Sequence, residues 1–176
     1  MQRSRPNILV TGTPGTGKST LCQLLCEQSG LHHVELARLI REEHLYTEWD
    51  DEMNCSIFDE DLVVSKLSDF LPEGGHVMDF HSCDFLPVDW FDLVVVLRTE
   101  TSVLYGRLER RSYPERKIQE NVECEIFQVL LDEAKEHFGA DAVMEAWNDS
   151  LQHLDANVQR VMEWLNQWQG QVEAGG

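Results

Sequence analysis

Apolar residues recur in two rhythms along this chain. Residues 6–11, with Ile8, Leu9 and Val10 in a row, read as a buried strand ending at a glycine-rich turn. Residues 19–29 read as a helix, because Leu21, Leu24 and Leu25 share one face. A weaker strand is expected over 32–36 and a third over 77–80, introduced by Gly74 and Gly75. The unbroken run over 93–97 makes 92–97 a strand buried on both faces, and 142–147 supplies a fifth. Helices are expected over 60–71, 102–111, 118–138 and 151–168. In the last of these Leu151, Leu154, Val158, Val161, Met162, Leu165 and Trp168 recur at spacings of three and four and form a core-facing stripe. Strands alternating with helices imply parallel strands joined by right-handed crossovers, an α/β three-layer sandwich. Only residues 173–176 read as a frayed tail.

Length and charge narrow the picture. The 176 residues suit a single domain, and an apolar fraction of 42% is ordinary for a globular chain. Against 14 Lys and Arg stand 32 Asp and Glu, a formal charge of −18, which disfavours nonspecific nucleic-acid binding and anionic membranes. The longest apolar run is far short of the roughly 20 residues of a transmembrane helix, and no signal peptide is visible. Cys22, Cys26, Cys55, Cys83 and Cys124 form an odd, scattered set without a C-x-x-C pair, so free thiols in the cytosol or nucleus are expected. His81 and Cys83 lack a second pair at metal-ligand spacing.

The informative stretch is Gly12-Thr13-Pro14-Gly15-Thr16-Gly17-Lys18-Ser19, which satisfies G-x-x-x-x-G-K-[ST] where a strand hands over to a helix. Glycines let such a loop curl until its backbone N–H groups form an anion-binding nest, to which the helix adds its positive end. Lys18 is expected to reach the β- and γ-phosphates of ATP, and the Ser19 hydroxyl to coordinate Mg²⁺. The guanine-reading N-K-x-D and switch D-x-x-G sequences of a GTPase are both missing. A compact kinase acting on a small acceptor fits the length.

Three stretches then carry a resemblance: residues 11–19; Asp79-Phe80-His81-Ser82-Cys83-Asp84-Phe85; and Asn121-Val122-Glu123-Cys124-Glu125-Ile126-Phe127-Gln128-Val129. Over roughly 6–138 the chain resembles the adenylate kinase isoenzyme 6 family, also described as coilin-interacting nuclear ATPases and as small-ribosomal-subunit assembly factors. The resemblance implies a P-loop fold with a five-stranded parallel sheet, a helical nucleoside-monophosphate-binding insert over about 35–58 and a short lid over about 110–120. It implies phosphoryl transfer from ATP to AMP or another nucleoside monophosphate, together with ATP hydrolysis. Gly12, Pro14, Gly15, Thr16, Gly17, Lys18, Ser19 and Thr20 form the expected ATP-binding loop, with Arg107 and Arg111 closing on it. Arg41 is the acceptor-binding arginine, Asp79 the Walker-B-like acid that with Ser19 holds Mg²⁺, and His81 the histidine that follows it. Three positions, in two stretches, depart from the family pattern. Ala37-Arg38-Leu39-Ile40-Arg41 stands for the usual Gly-Asp-Leu-x-Arg, and Ser82 stands where glycine is more common.

The remaining candidates admit a plainer reading as well. His81, one strand repeat beyond Asp79, orients a water or an acceptor oxygen, or is a structural histidine. Arg98, Arg107, Arg110 and Arg111 lie within 14 positions, and guanidinium groups match phosphate bidentately, yet some can simply pair with Glu100, Glu109 or Glu115. The acids Glu48, Asp50, Asp51, Glu52, Asp59, Glu60 and Asp61 form either a solvated face or, following the resemblance, a surface for a basic small-subunit ribosomal protein. The short lid leads us to expect an ATPase leak. Catalysis is expected to rest on Lys18, Asp79, His81 and Arg111, and the protein is expected to be a monomer that binds neither membrane nor a specific nucleic-acid sequence. Nuclear as well as cytoplasmic residence is implied by the resemblance alone.

Overall fold

The computed structural model describes residues 3–50 and 55–176. Five parallel strands form the central sheet: β1 (Ile8–Gly12), β2 (His32–Glu35), β5 (His76–Asp79), β6 (Leu93–Arg98) and β7 (Val143–Trp147). Their spatial order is β2-β5-β1-β6-β7, and every pairing is parallel. This is the expected α/β sandwich, with strand limits within two residues of those read from the sequence.

Alternation along β6 shows how the layers are built. Leu93, Val95 and Leu97 point to one face, where they meet Leu21, Cys22 and Leu25 of α1 (Lys18–Ser29) and Leu154, Val158, Val161 and Leu165 of α7 (Leu151–Gly175). Val94 and Val96 point to the other, against Leu36 and Ile40 of α2 (Leu36–Glu42), Val63 and Leu67 of α3 (Glu60–Leu67) and Leu131, Ala134 and Phe138 of α6 (Val129–Phe138). Each fully buried aliphatic side chain contributes about 1.5–3 kcal/mol to this packing. Two further helices, α4 (Thr101–Arg110) and α5 (Glu115–Ile126), join through Leu104, Leu108 and Ile118 in a smaller cluster.

The structure corrects four expectations. The insert over 35–58 is only half helical: α2 is followed by an antiparallel pair, β3 (Tyr46–Asp50) and β4 (Cys55–Phe58), with an irregularity between Tyr46 and Glu48. The single helix expected over 118–138 is two, because Gln128 adopts a left-handed conformation with φ 55° between α5 and α6. The helix from Glu60 stops at Leu67, and Leu71–Glu73 makes a separate 3₁₀ turn that includes Pro72. Residues 173–175, expected to fray, continue α7 to Gly175. Although α7 has 25 residues, no helix among the described residues is apolar enough over a sufficient length to cross a membrane.

One buried polar side chain gathers the strand entrances. Asn7, just ahead of β1, donates from Nδ2 to Leu71 O (2.6 Å) and Trp90 O (2.8 Å), and its Oδ1 accepts from the His76 N–H (3.0 Å). Its own N–H donates to Asp92 Oδ2 at 2.9 Å. The segments that lead into β5 and β6, the two neighbours of β1, are thereby tied to it. Asn7→Ala, which strands two buried carbonyls and an N–H, is expected to lower unfolding free energy by about 2–4 kcal/mol in urea denaturation; a change below about 0.5 kcal/mol would show that water replaces the amide.

Candidate active site

The phosphate-binding loop is a tight bend from the last residue of β1 to the first of α1. Thr16 closes the bend, its N–H (3.2 Å) and its hydroxyl (2.8 Å) both donating to Thr13 O. Gly17 caps α1 at φ 97°, with no side-chain hydrogen bond to the helix, so the first-turn N–H groups of Lys18, Ser19 and Thr20 have no intrahelical acceptor. A Cβ on Gly17 would stand 2.5 Å from Asn148 Nδ2, which makes glycine obligatory by space as well as by backbone conformation. Pro14 is half-buried in the bend, while Ser19 and Thr20 are exposed beside it.

Groups brought from distant parts of the chain hold the loop from behind. Asn148, between β7 and α7, donates from Nδ2 to Thr16 O at 2.8 Å. Arg107 on α4 donates to Gly15 O (3.2 Å), Asn148 O (2.9 Å) and Thr99 Oγ1 (3.4 Å). Thr13 Oγ1 donates at 2.7 Å to Glu125 Oε2 on α5, and the other carboxylate oxygen accepts from Arg98 Nε at 2.5 Å. Arg98 also donates from Nη2 to Glu125 O and stacks over the Trp147 ring at 4.9 Å. Both charged groups are about 95% buried, so each depends on the other for compensation. The arginines foreseen near the lid thus divide: Arg98 is structural, Arg107 braces the loop through its carbonyls, and Arg110 and Arg111 are exposed.

Lys18 Nζ donates to Gly12 O (2.8 Å) and Thr13 O (3.3 Å). Burial pulls its pKa from 10.5 down to about 8; the Asp79 carboxylate opposes that fall and the Arg111 guanidinium adds to it. Arg111, immediately after α4, therefore lies close enough for its charge to be felt at Lys18. Asp79 is the last residue of β5 and pairs with Val10 of β1 in the register. Its Oδ2 is 2.6 Å from His33 Nε2, a partner the sequence did not announce because β2 and β5 lie 46 positions apart at these residues.

His81 follows the end of β5, so strand alternation does not place it. Its ring keeps solvent access. Crowding by protein, then the charges of Lys18 and Lys117, pull its pKa down to about 4, leaving it neutral at physiological pH. Its ring lies 4.4 Å, centroid to centroid, from that of Phe80. Arg41 lies exposed in the last turn of α2, and Arg38 in the same helix pairs with Glu42 at 2.7 Å.

A glycine-bent loop leading into an uncapped helix, a desolvated lysine and a strand-end acid, on a five-stranded parallel sheet, define a P-loop kinase. Solved structures share the fold. Shikimate kinase from Bacteroides thetaiotaomicron superposes with a TM-score of 0.62 at 20% identity, covering 92% of this chain and 98% of that one. Shikimate kinase from Acinetobacter baumannii gives 0.60 at 16% identity, covering 93% and 94%. A family model described as an AAA domain matches residues 8–128.

The chain belongs to the adenylate kinase isoenzyme 6 family. It is 46% identical over 171 residues to the Adenylate kinase isoenzyme 6 homolog of Caenorhabditis elegans, covering 96% of this chain and 94% of that protein. The Dictyostelium discoideum homolog is 40% identical, with 96% coverage of both, and the Saccharomyces cerevisiae homolog 34%, covering 95% of this chain and 85% of that protein. It is therefore a kinase-type enzyme of the nucleotide kinase family, a class that takes a nucleotide substrate, typically with Mg²⁺.

Glu125→Ala removes the nearer and more buried of the two carboxylates paired with Arg98 and is expected to cost about 3–5 kcal/mol of stability, read by urea denaturation; a loss under 1 kcal/mol would show that Glu145, 3.5 Å from Arg98, compensates the charge alone. The depressed Lys18 pKa means that the unfolded chain binds more protons between about pH 8 and 10.5, so this lysine destabilises the fold at neutral pH and the cost fades as pH rises through that window. Phosphate charge restores its proton. At pH 8, ATP binding should take up about half a proton, seen calorimetrically as a dependence of heat on buffer ionisation enthalpy. Lys18→Met should abolish that dependence; heat independent of buffer in the wild type would refute the depressed pKa.

Proposed function

We propose that this protein is a nucleoside monophosphate kinase that transfers the γ-phosphoryl group of ATP to AMP, or to another nucleoside monophosphate, and leaks into ATP hydrolysis. The observation that carries this reading is that the loop lysine Lys18 feels the charges of both the strand-end acid Asp79 and the lid arginine Arg111, so the three act on one another. The loop N–H groups and the head of α1 bind the phosphates of ATP. Lys18 leaves its carbonyl partners to bridge the β- and γ-phosphates, and Arg111 neutralises charge that builds on the transferring group. Arg41 holds the acceptor phosphate. His81, neutral, orients the acceptor oxygen or a water.

The donor set fits Mg²⁺: the exposed Ser19 hydroxyl in the first turn of α1 and the Asp79 carboxylate, acting through water, are hard oxygen ligands beside the lysine. The ion, when held there, supplies charge neutralisation across the β- and γ-oxygens. Residues 111–114 are the whole connection between α4 and α5. So short a lid shields the reacting phosphate poorly, which supports the hydrolytic leak.

A second reading, an ATPase that assembles the small ribosomal subunit in the nucleus and cytoplasm by binding a basic ribosomal protein, is favoured by one surface. Phe127, 71% exposed, and Val129 border a groove with Asp84, Asp132, Glu133 and Glu136. Burial first, then the Asp84 carboxylate, raise the Glu133 pKa to about 7 against the opposing pull of His137. Of the acids read earlier as a docking face, Glu48, Glu60 and Asp61 are exposed, Asp59 accepts from the Leu62 N–H as the cap of α3, and Asp51 and Glu52 lie outside the described residues.

Purified protein with Mg·ATP and each of AMP, CMP, GMP and UMP should yield a nucleoside diphosphate from at least one acceptor, with some free phosphate, and Lys18→Ala should abolish both products. Free phosphate alone, whatever the acceptor, would overturn the kinase reading and leave the assembly ATPase.

A further inference from the structure

The carboxyl of Asp79 has neighbours that phosphate chemistry does not require. His33 Nε2 lies 2.6 Å from its Oδ2, and the Cys22 sulfur, that His33 nitrogen and an Asp79 oxygen all lie within 4.8 Å of one another. The three come from separate elements, α1, β2 and β5. Register explains the meeting: His33 pairs with Val77, so His33 and Asp79 stand on the sheet face that α1 covers. Cys22 and Asp79 are buried, whereas the His33 side chain, on the edge strand β2, is 22% exposed.

A thiol, an imidazole and a carboxylate converging in three dimensions suit a borderline-soft cation. They do not suit Mg²⁺, which avoids sulfur and keeps its waters. We propose that Cys22, His33 and Asp79 form a binding site for a divalent cation of the Zn²⁺ class, reached from the exposed side of His33, and that its occupation inhibits nucleotide turnover by withdrawing Asp79. Tetrahedral coordination with three protein ligands leaves the fourth position for water. Zinc–ligand bonds of about 2.0–2.3 Å place ligand atoms about 3.3–3.6 Å apart. Side-chain rotations of about 1 Å are enough, the His33–Asp79 pair opening to admit the ion and the sulfur moving in. On binding, the S–H bond of Cys22 breaks, its proton passes to solvent, and sulfur bonds the metal. Burial, reinforced by the Asp79 charge, holds that thiol protonated in the free protein, so the ion must displace one proton. The site itself owes nothing to the kinase reading; the inhibition rests on it, because only there does Asp79 serve Mg²⁺.

Cobalt(II), added alone to the full reduced chain, reports both geometry and sulfur ligation. The expected result is one ion per chain, the visible d–d bands of a tetrahedral centre and a near-ultraviolet thiolate-to-cobalt charge-transfer band, all displaced by Zn²⁺. Cys22→Ala should remove the charge-transfer band, His33→Gln should weaken binding at least about tenfold, and Cys26→Ala should change neither; unchanged melting temperatures would show that the variants are folded. Absence of the band in the wild type, or its survival in Cys22→Ala, would overturn the site. Micromolar Zn²⁺ should inhibit product formation at saturating Mg·ATP in the wild type but not in Cys22→Ala, and turnover indifferent to zinc despite the cobalt spectrum would overturn the inhibitory role. Should zinc-free protein form neither diphosphate nor phosphate, the kinase reading fails while the spectral result still judges the site.

Discussion

Glu125 accepts a hydrogen bond from Thr13 on one oxygen and from Arg98 on the other, all three side chains being buried. The loop that wraps phosphate is thus fastened to α5, and α5 in turn to the end of β6. A pair of charges removed from water survives only with its partners in place, so neither residue can relax independently. Asn148 and Arg107 fasten the loop's other carbonyls, to β7 and to α4. With those carbonyls engaged from behind, the first-turn N–H groups of α1 are the polar groups left to face a ligand.

Charge is distributed to the same end. The chain carries −18 overall, yet Lys18, Arg98, Arg107 and Arg111 are gathered around one loop. Repulsion adds to burial here: burial and then Arg111 lower the Lys18 pKa against the pull of Asp79, and burial, then Arg110 and Arg111, lower that of Arg107 despite Asp149. Such a cluster stores an electrostatic cost that an incoming polyanion relieves.

The parts legible in the sequence are those whose physics is local. The strand, bend and helix around residues 8–29 follow from adjacent residues, and β6 follows from an unbroken aliphatic run. The break at Gln128 left no signal, because glutamine rarely adopts a left-handed conformation and the apolar period runs on across it. The β3–β4 pair was hidden by the expectation of a helical insert. His33 and Asn148 were missed for another reason: each meets its partner only once the sheet is ordered, 46 positions away for His33 and 132 for Asn148. Glu125 sat within a family stretch, but its contact with Thr13 spans 112 positions and could not be read from spacing.

Asn148 reaches Thr16 from beyond β7, near the far end of the chain from the loop it steadies. During synthesis the glycine-rich motif leaves the ribosome early, while the groups that set its shape emerge in the order Arg107, Glu125 and finally Asn148. The nascent protein therefore displays the signature of a nucleotide kinase well before the loop has its supports, and the loop's final shape arrives late, with the closing strand of the sheet.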